Sequence, residues 1–403
     1  MHLLRLFALF LALASTLSAA TWAATPRAAD SPARVVILGV DHAVQLVAKE
    51  DQPGMLAAFI ERVAPDAVCI ERPPEQYARN DHYEFTYEIQ DIVLPYAREH
   101  GIEVCPFDWI PSHEDQMLGW GLDLSTPPEV RAPEGFHGFL SFPQPDKLRR
   151  TLFAADDRGT LTEADAWIRG WPQRMSRDLP RRMFLYRTFM QARRIAAAAK
   201  ARPGQTVLVV VGEFHKHDIE AILSDDPAIS LVQPSRYGAP APEAVERLTT
   251  RRHRIAVASF NLLGTQASTG NVDWDWLATV LAALETERRD AETDLLRTRY
   301  DLLTGEIDAG AAIERYRAIA ADDAARRMPT WDGVLDRSRV DSYFDPFGNL
   351  RIDQRARVEL ARELYRLGET AEAGQSPAAL GRELTPRKAR QLEAYWQREL
   401  KPR

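Results

Sequence analysis

Val35-Val-Ile-Leu-Gly-Val-Asp-His42 and Val207-Leu-Val-Val-Val-Gly-Glu-Phe-His215 are two versions of one pattern, an apolar β-branched run that ends in Gly-x-x-His. Short runs of this composition bounded by glycine mark strands buried on both faces, the situation of a parallel sheet. Each histidine is therefore expected where a strand gives way to its loop, which is where open α/β sheets hold their ligands. The glycine lets the backbone turn sharply or come close to another group. Two such units in one chain predict one site with two histidines.

Working outward from the first run, the spacing predicts a helix over 53–63. The strand Ala67-Val-Cys-Ile-Glu71 follows, introduced by the turn Pro65-Asp66 and stopped by Arg72-Pro73-Pro74. A helix fits 83–100 with Gly101 as its cap, and a strand over 102–107 delivers Asp108. This alternation predicts an α/β fold with a central, largely parallel or mixed sheet and crossover helices. Right-handed crossovers put the C-terminal ends of parallel strands on one edge, so His42, Glu71 and Asp108 converge there.

Over about 110–180 the pattern loosens into Pro, Gly and Trp with a short helical piece at 163–167, a helical and irregular insertion placed to cover the strand ends. A long helix over 180–201 carries Arg181, Arg182, Arg187, Arg193 and Arg194 and leads into the second Gly-x-x-His run. A helix over 217–224 and a strand over 228–232 complete a core spanning 35–240. From 241 to 403 the chain turns to Ala, Leu, Arg and Glu at helical spacing, with helices expected over 274–287, 291–303, 311–321, 353–367 and 385–399. The alternating charges on these helices read as solvated faces, or as a surface that docks a protein partner. Trp274 and Trp276 read as packing anchors.

The 403 residues are 45% apolar, enough for a sizeable core, and the net charge of −7 is spread without a basic block. That argues against nucleic acid or an anionic membrane surface as the main partner. The first 23 residues have the form of a signal peptide: Arg5, an apolar stretch over 6–17 too short to span a bilayer comfortably, then Ser18, Ala19 and Ala20. Cleavage would follow Ala20 or Ala23 and leave a Pro/Ala-rich tether over 24–34, with export to the periplasm or beyond; an uncleaved anchor is the alternative. No later stretch reads as a membrane span. Cys69 and Cys105 fall in strands expected to be neighbours, where an oxidising compartment permits a disulfide and a buried free pair is equally compatible.

The chemistry falls to the convergent group. His42, His215, Glu71 and Asp108 are ligand types for Zn, Mn, Fe or Co, and such a set leaves room for a water. A metal held there lowers the pKa of that water and polarises a carbonyl, as amide or ester hydrolysis requires. Without a metal, His42 would act as general base, oriented by Glu71, with Arg187 stabilising an oxyanion. The bland alternatives are a satisfied structural histidine after each strand and a Glu71 paired with Arg72. Glu213 and His217 are weaker candidates, and His82, His100, His113, His137 and His253 read as surface or packing residues.

The two Gly-x-x-His motifs, the glutamate that closes Pro65-Asp-Ala-Val-Cys-Ile-Glu71 and the arginine-bearing helix before the second motif resemble the TraB/PrgY/GumN and Tiki superfamily, a group that also takes in the erythromycin esterase and ChaN haem-binding families. The stretch from Tyr87-Glu-Ile-Gln90 to Asp108-Trp109 is similar to exported bacterial members. The resemblance covers about 35–234. Its Tiki branch is a metal-dependent peptidase whose Gly-x-x-His pair and glutamate map onto His42, His215 and Glu71. The esterase branch opens a macrolide lactone with a histidine and glutamates, but Gly39-Val-Asp-His42 lacks the acidic residue that pattern has directly after the glycine. ChaN binds haem. The resemblance thus implies an exported metal-dependent hydrolase of peptidase or esterase type acting on a peptide or small molecule. A haem or small-molecule binding protein and an interaction protein with a decayed site are the alternatives.

Overall fold

The computed structural model describes residues 31–399 apart from 125, 136 and 171–177; the expected leader over 1–23 and the tether up to residue 30 lie outside the described residues. The fold is α/β. Strands β1 (Ala33–Val40), β2 (Ala67–Ile70), β3 (Glu103–Pro106), β4 (Thr206–Gly212) and β5 (Ile229–Val232) form one sheet in the order β3-β2-β4-β1-β5. All pairs are parallel. Apart from Arg34, every residue of β1 and β4 is buried, as their unbroken apolar composition requires.

The two Gly-x-x-His strands are neighbours and end level, with Val40 opposite Gly212, while on the other side of β4 Ile70 lies opposite Val210. The chain runs outward from β1 to β2 and β3, then returns and threads β4 into the gap between β1 and β2. This reversal sets the ends of β2, β4 and β1 side by side at a topological switch point, the place where such sheets bind ligands.

Alternation along the strands divides the core. Val35, Ile37, Val207, Val209 and Val211 face the helices Asp178–Lys200 and Glu213–Leu223 through Ile195, Ala199 and Ile219. Val36, Leu38, Leu208 and Val210 share the larger cluster with Phe59 of helix Pro53–Val63 and with Phe260, Leu281, Leu295 and Tyr316 of the C-terminal region. The helical third is thus a layer on the same core. Trp276 is buried in it and Trp274 packs on Tyr300 at 6.0 Å, as anchors should. Helices Pro242–Leu248, Arg251–Leu262 and Thr370–Glu383 add to those expected. The expectation of solvated charged faces fails on helix Ile352–Arg366, where Arg355, Glu359 and Glu363 are buried in ion pairs with neighbouring segments.

Two local differences matter for the site. The helix expected over 83–100 begins only at Glu88, as a π-helical turn over Glu88–Val93 that continues as Leu94–His100. Pro95 has no N–H to offer the Asp91 carbonyl, which is bonded instead by His253 Nε2 at 3.2 Å, so the helix widens there. The helix expected from 217 starts at Glu213, placing His215 in its first turn rather than in a loop. Cys69 and Cys105 lie opposite each other in register, 4.4 Å apart at Cα, and are joined as a disulfide just below Glu71. Among the described residues no helix is long and apolar enough to cross a membrane.

Candidate functional site

Glycine at both motifs supplies clearance. A Cβ on Gly212 would stand 2.9 Å from His42 Nε2 and 3.3 Å from Glu71 Oε2, and one on Gly39 would stand 2.7 Å from Ala155 Cβ. The side chains of three adjacent strand ends can therefore close over bare backbone. The Gly212 N–H itself donates to Glu71 Oε2 at 2.7 Å.

Glu71 is the centre of the arrangement. Its Oε1 accepts from Arg187 Nη2 at 2.9 Å, while His215 Nε2 lies 3.6 Å from Oε1 and His42 Nε2 lies 3.7 Å from Oε2. Both imidazoles are held from behind. His42 Nδ1 stands 2.7 Å from Glu88 Oε1, and Glu88 Oε2 also takes the N–H of Ala43 at 3.1 Å. Ala43 has φ of 63°, a left-handed conformation that costs a residue with a Cβ about 1–2 kcal/mol. The carboxylate that orients His42 also fixes this strained backbone. On the other side, Thr188 Oγ1 stands 2.6 Å from His215 Nδ1 and gives its one hydrogen to the Phe184 carbonyl at 2.9 Å. The hydroxyl thus ties the His215 ring to the backbone of the long helix, with Nε2 on the side of Glu71. Phe184 stacks on the His215 ring at 4.3 Å.

The electrostatics of the two histidines diverge. Burial pulls His215 down to about 4, with the Arg187 charge acting in the same direction. Burial would also lower His42, but the charge and hydrogen bond of Glu88, followed by Glu71 and Asp41, lift it to about 9. Burial raises Glu71, yet Arg187 and the histidines hold it below its ordinary value.

Asp108 is fully buried and its carboxylate is taken by Tyr83 OH at 2.7 Å, Gln191 Nε2 at 2.8 Å and Arg187 through Nε at 2.9 Å and Nη2 at 2.8 Å. It anchors Arg187. Of the five arginines on the long helix, Arg187 and Arg194 reach this region, the latter bonding the Asp108 carbonyl, whereas Arg181 and Arg182 pair with Asp178. Arg187, Gln191 and Arg194 follow the i, i+4, i+7 spacing of one helix face, with Thr188 beside them. Among the described residues, Arg187 is the only arginine or lysine paired with Glu71, Glu88 or Asp108. Three carboxylates face one guanidinium.

The middle residues of the two motifs hold the insertion. Asp41 pairs with Lys147 at 2.6 Å and Glu213 with Arg150 at 2.6 Å. His217 pairs with Glu220 at 3.4 Å, away from this group. Above Glu71 and the histidines lies a cavity of about 480 Å³ walled by Phe85, Trp120, Leu124, Trp167, Phe184 and Phe214, half of them from the insertion. The insertion thus roofs the strand ends, as its position in the sequence implied. Among the expected bystanders, His100 bonds the Tyr96 carbonyl, His113 meets Asp123 and His253 caps its helix at Thr250.

Sequence reasoning missed Glu88, Thr188, Gln191 and Tyr83. For Glu88 a signal existed: at i, i+4 spacing it shares a helical face with the apolar Ile92, and a carboxylate on a buried face needs a partner. Among the described residues no group of three or more His, Cys, Asp or Glu is arranged as it stands to hold a metal ion. No family model matches the chain, and no curated protein or solved structure matches it.

Proposed function

We propose that the chain is an exported hydrolase of ester or peptide bonds that holds a divalent ion (Mn, Co, Zn or Fe) between His42 Nε2, His215 Nε2 and Glu71. One observation carries this reading: the Nε2 atoms of His42 and His215 stand 3.7 Å and 3.6 Å from the two oxygens of Glu71, near enough to share one ion and too far for direct hydrogen bonds. The charge count points the same way, since Glu71, Glu88 and Asp108 exceed Arg187 by two negative charges and a proton on His42 offsets only one of them. The backing of each Nδ1 by Glu88 or Thr188 is the outer support that ligating imidazoles have.

When bound, the ion lowers the pKa of a water and polarises the substrate carbonyl. The chain's own residues do the rest. Arg187, fixed through Nε and Nη2 by Asp108 and Glu71, has an Nη1 free of hydrogen bonds among the described residues and lines the cavity. That places it to stabilise negative charge developing on a carbonyl oxygen. Asp108, Gln191 and Tyr83 are positioning residues for Arg187, so Asp108 drops out of the proposed ligand set. The apolar walls exclude water and take the substrate's apolar part. The leader over 1–23 would carry the chain to the periplasm or out of the cell, in keeping with a Tiki-type peptidase.

The test is elemental analysis of protein purified without chelators, beside His42→Ala/His215→Ala. Near-stoichiometric metal lost in the double variant, with peptide or ester hydrolysis lost alongside it, is the expected result. Absence of metal in both, even after reconstitution, sinks the metallohydrolase. The aromatic walls favour one second reading, binding of haem or another apolar ligand without turnover; a visible absorbance band on haem addition and no hydrolysis would establish it.

A further inference from the structure

The lining of the cavity over Glu71, about 480 Å³ in volume, divides sharply by chemistry. Its polar side chains belong to the Glu71 group or are paired: His42, Glu71, Arg187 and His215 form the floor, and Asp41 and Glu213 are held by Lys147 and Arg150. Phe85, Leu122, Leu124, Pro180, Phe184 and Phe214 have side chains with no hydrogen-bonding group. The polar groups beside them are already used. The Trp120 indole N–H donates to the Pro180 carbonyl at 3.4 Å, the Leu124 N–H to Gln116 Oε1 at 3.0 Å and the Gly212 N–H to Glu71 Oε2 at 2.7 Å. Among the described residues, the Trp167 indole is the one side-chain donor left on the walls.

Such walls discriminate between kinds of substrate. A peptide main chain brings an N–H and a C=O with every residue. Laid along these walls it would give up water at both and find a single indole in exchange, a loss repeated at each residue. A hydrocarbon chain has nothing to satisfy and gains about fourfold in affinity for each methylene it takes out of water. The apolar surface also continues outward. Trp167 and Phe214 stand half in solvent, and Leu118 and Leu179, both exposed, directly precede the lining residues Gly119 and Pro180. Apolar side chains left in solvent at the edge of a site mark the approach of an apolar ligand.

We infer that this chamber binds an aliphatic acyl chain, so that the substrate is an ester or amide of a medium-chain carboxylic acid rather than an unmodified peptide. The chain lies between the walls, the acyl carbon comes down over Glu71 and the carbonyl oxygen turns to Arg187. Hydrolysis joins the oxygen of water to the acyl carbon and breaks the bond to the alcohol or amine, which leaves with one of the water's protons; the chain-bearing acid is the product held in the chamber. The assignment deepens the proposed hydrolase and rests on that reading for turnover alone, since the walls hold the chain whether or not the bond is cut.

Methyl ketones test the assignment without cleavage. Butan-2-one, hexan-2-one, octan-2-one and decan-2-one are titrated calorimetrically into the full chain, with N-acetyl-L-leucinamide as a peptide probe of similar size to the longest of them. Affinity should rise about fourfold per methylene along the series, and decan-2-one should bind roughly tenfold tighter than the peptide probe or better. Trp167→Ala and Phe214→Ala, both at half-exposed positions, should each weaken decan-2-one severalfold and leave butan-2-one unchanged. Affinity that stays flat with chain length, a peptide probe that binds as tightly as decan-2-one, or a rise untouched by both variants overturns the assignment. A rise that both variants blunt, without release of nitrophenol from 4-nitrophenyl decanoate, upholds the acyl chamber and counts against the hydrolase alone.

Discussion

Two buried clusters of charge, one between C-terminal helices and one at the strand ends, differ in their balance. Between the helices Ala291–Thr304 and Ile352–Arg366, Arg299, Arg355 and Arg362 meet Asp345, Glu359 and Glu363. Three cations face three carboxylates. At the ends of β1, β2 and β4, Glu71, Glu88 and Asp108 meet one arginine. Taking charges out of water is costly, and a fold repays that cost only where partners and hydrogen bonds close the account. The helical cluster does so internally and has a structural role. The strand-end cluster leaves negative charge that a proton on His42 or an external cation must neutralise, and this unbalance is what a ligand-binding site needs.

The strongest way to break the comparison is to remove the same charge from each cluster. Glu359→Gln leaves three buried guanidinium groups against two carboxylates and should cost about 3–5 kcal/mol in denaturant unfolding. Glu88→Gln removes one charge from a cluster that keeps a negative excess even with His42 protonated, so metal-stripped protein should keep its stability while losing its grip on His42. A loss of several kcal/mol in both would mean that the two clusters are alike.

Acid should act on the balanced cluster. Burial would raise Glu359, but Arg362, Arg355 and Arg299 hold it down to about 2. A carboxylate depressed in this way contributes stability that is present above its unfolded value of 4.5 and is lost as pH falls through about 2. The shift corresponds to roughly 3 kcal/mol. Unfolding free energy measured between pH 5 and pH 2 should show that loss in the wild type and a smaller slope in Glu359→Gln. Parallel curves for the two proteins would show that Glu359 does not carry the acid limb.

The strands were legible because each is short, β-branched and bounded by turn residues, and His42, Glu71, Asp108 and His215 were legible because each follows such a run. What the sequence hid was order. Nothing in 35–42 or 207–215 states that β4 enters between β1 and β2, and that insertion is what lays His215 against Glu71. The supporting residues were hidden for a different reason: Glu88 lies 46 positions from His42, on a turn whose widening depends on Pro95, and periodicity reports a face without naming what it meets. The same limit explains Arg355 and Glu359, whose i, i+4 pairing looks like a solvated stripe until other segments cover it.

The smallest expected effect isolates orientation from charge. Thr188 adds no charge to the strand-end cluster, and its Oγ1 orients the ring of His215 from 2.6 Å behind Nδ1. Thr188→Val keeps the shape and removes the hydroxyl, whereas Thr188→Ser keeps the hydroxyl and removes a methyl group. Outer groups of this kind are worth 10–100-fold in metal affinity, and a neutral hydroxyl belongs at the lower end, about tenfold or 1.4 kcal/mol. Competition against a chelating dye should therefore show about a tenfold weaker metal for Thr188→Val and wild-type behaviour for Thr188→Ser. If Thr188→Val binds metal as the wild type does, His215 is not held for a metal.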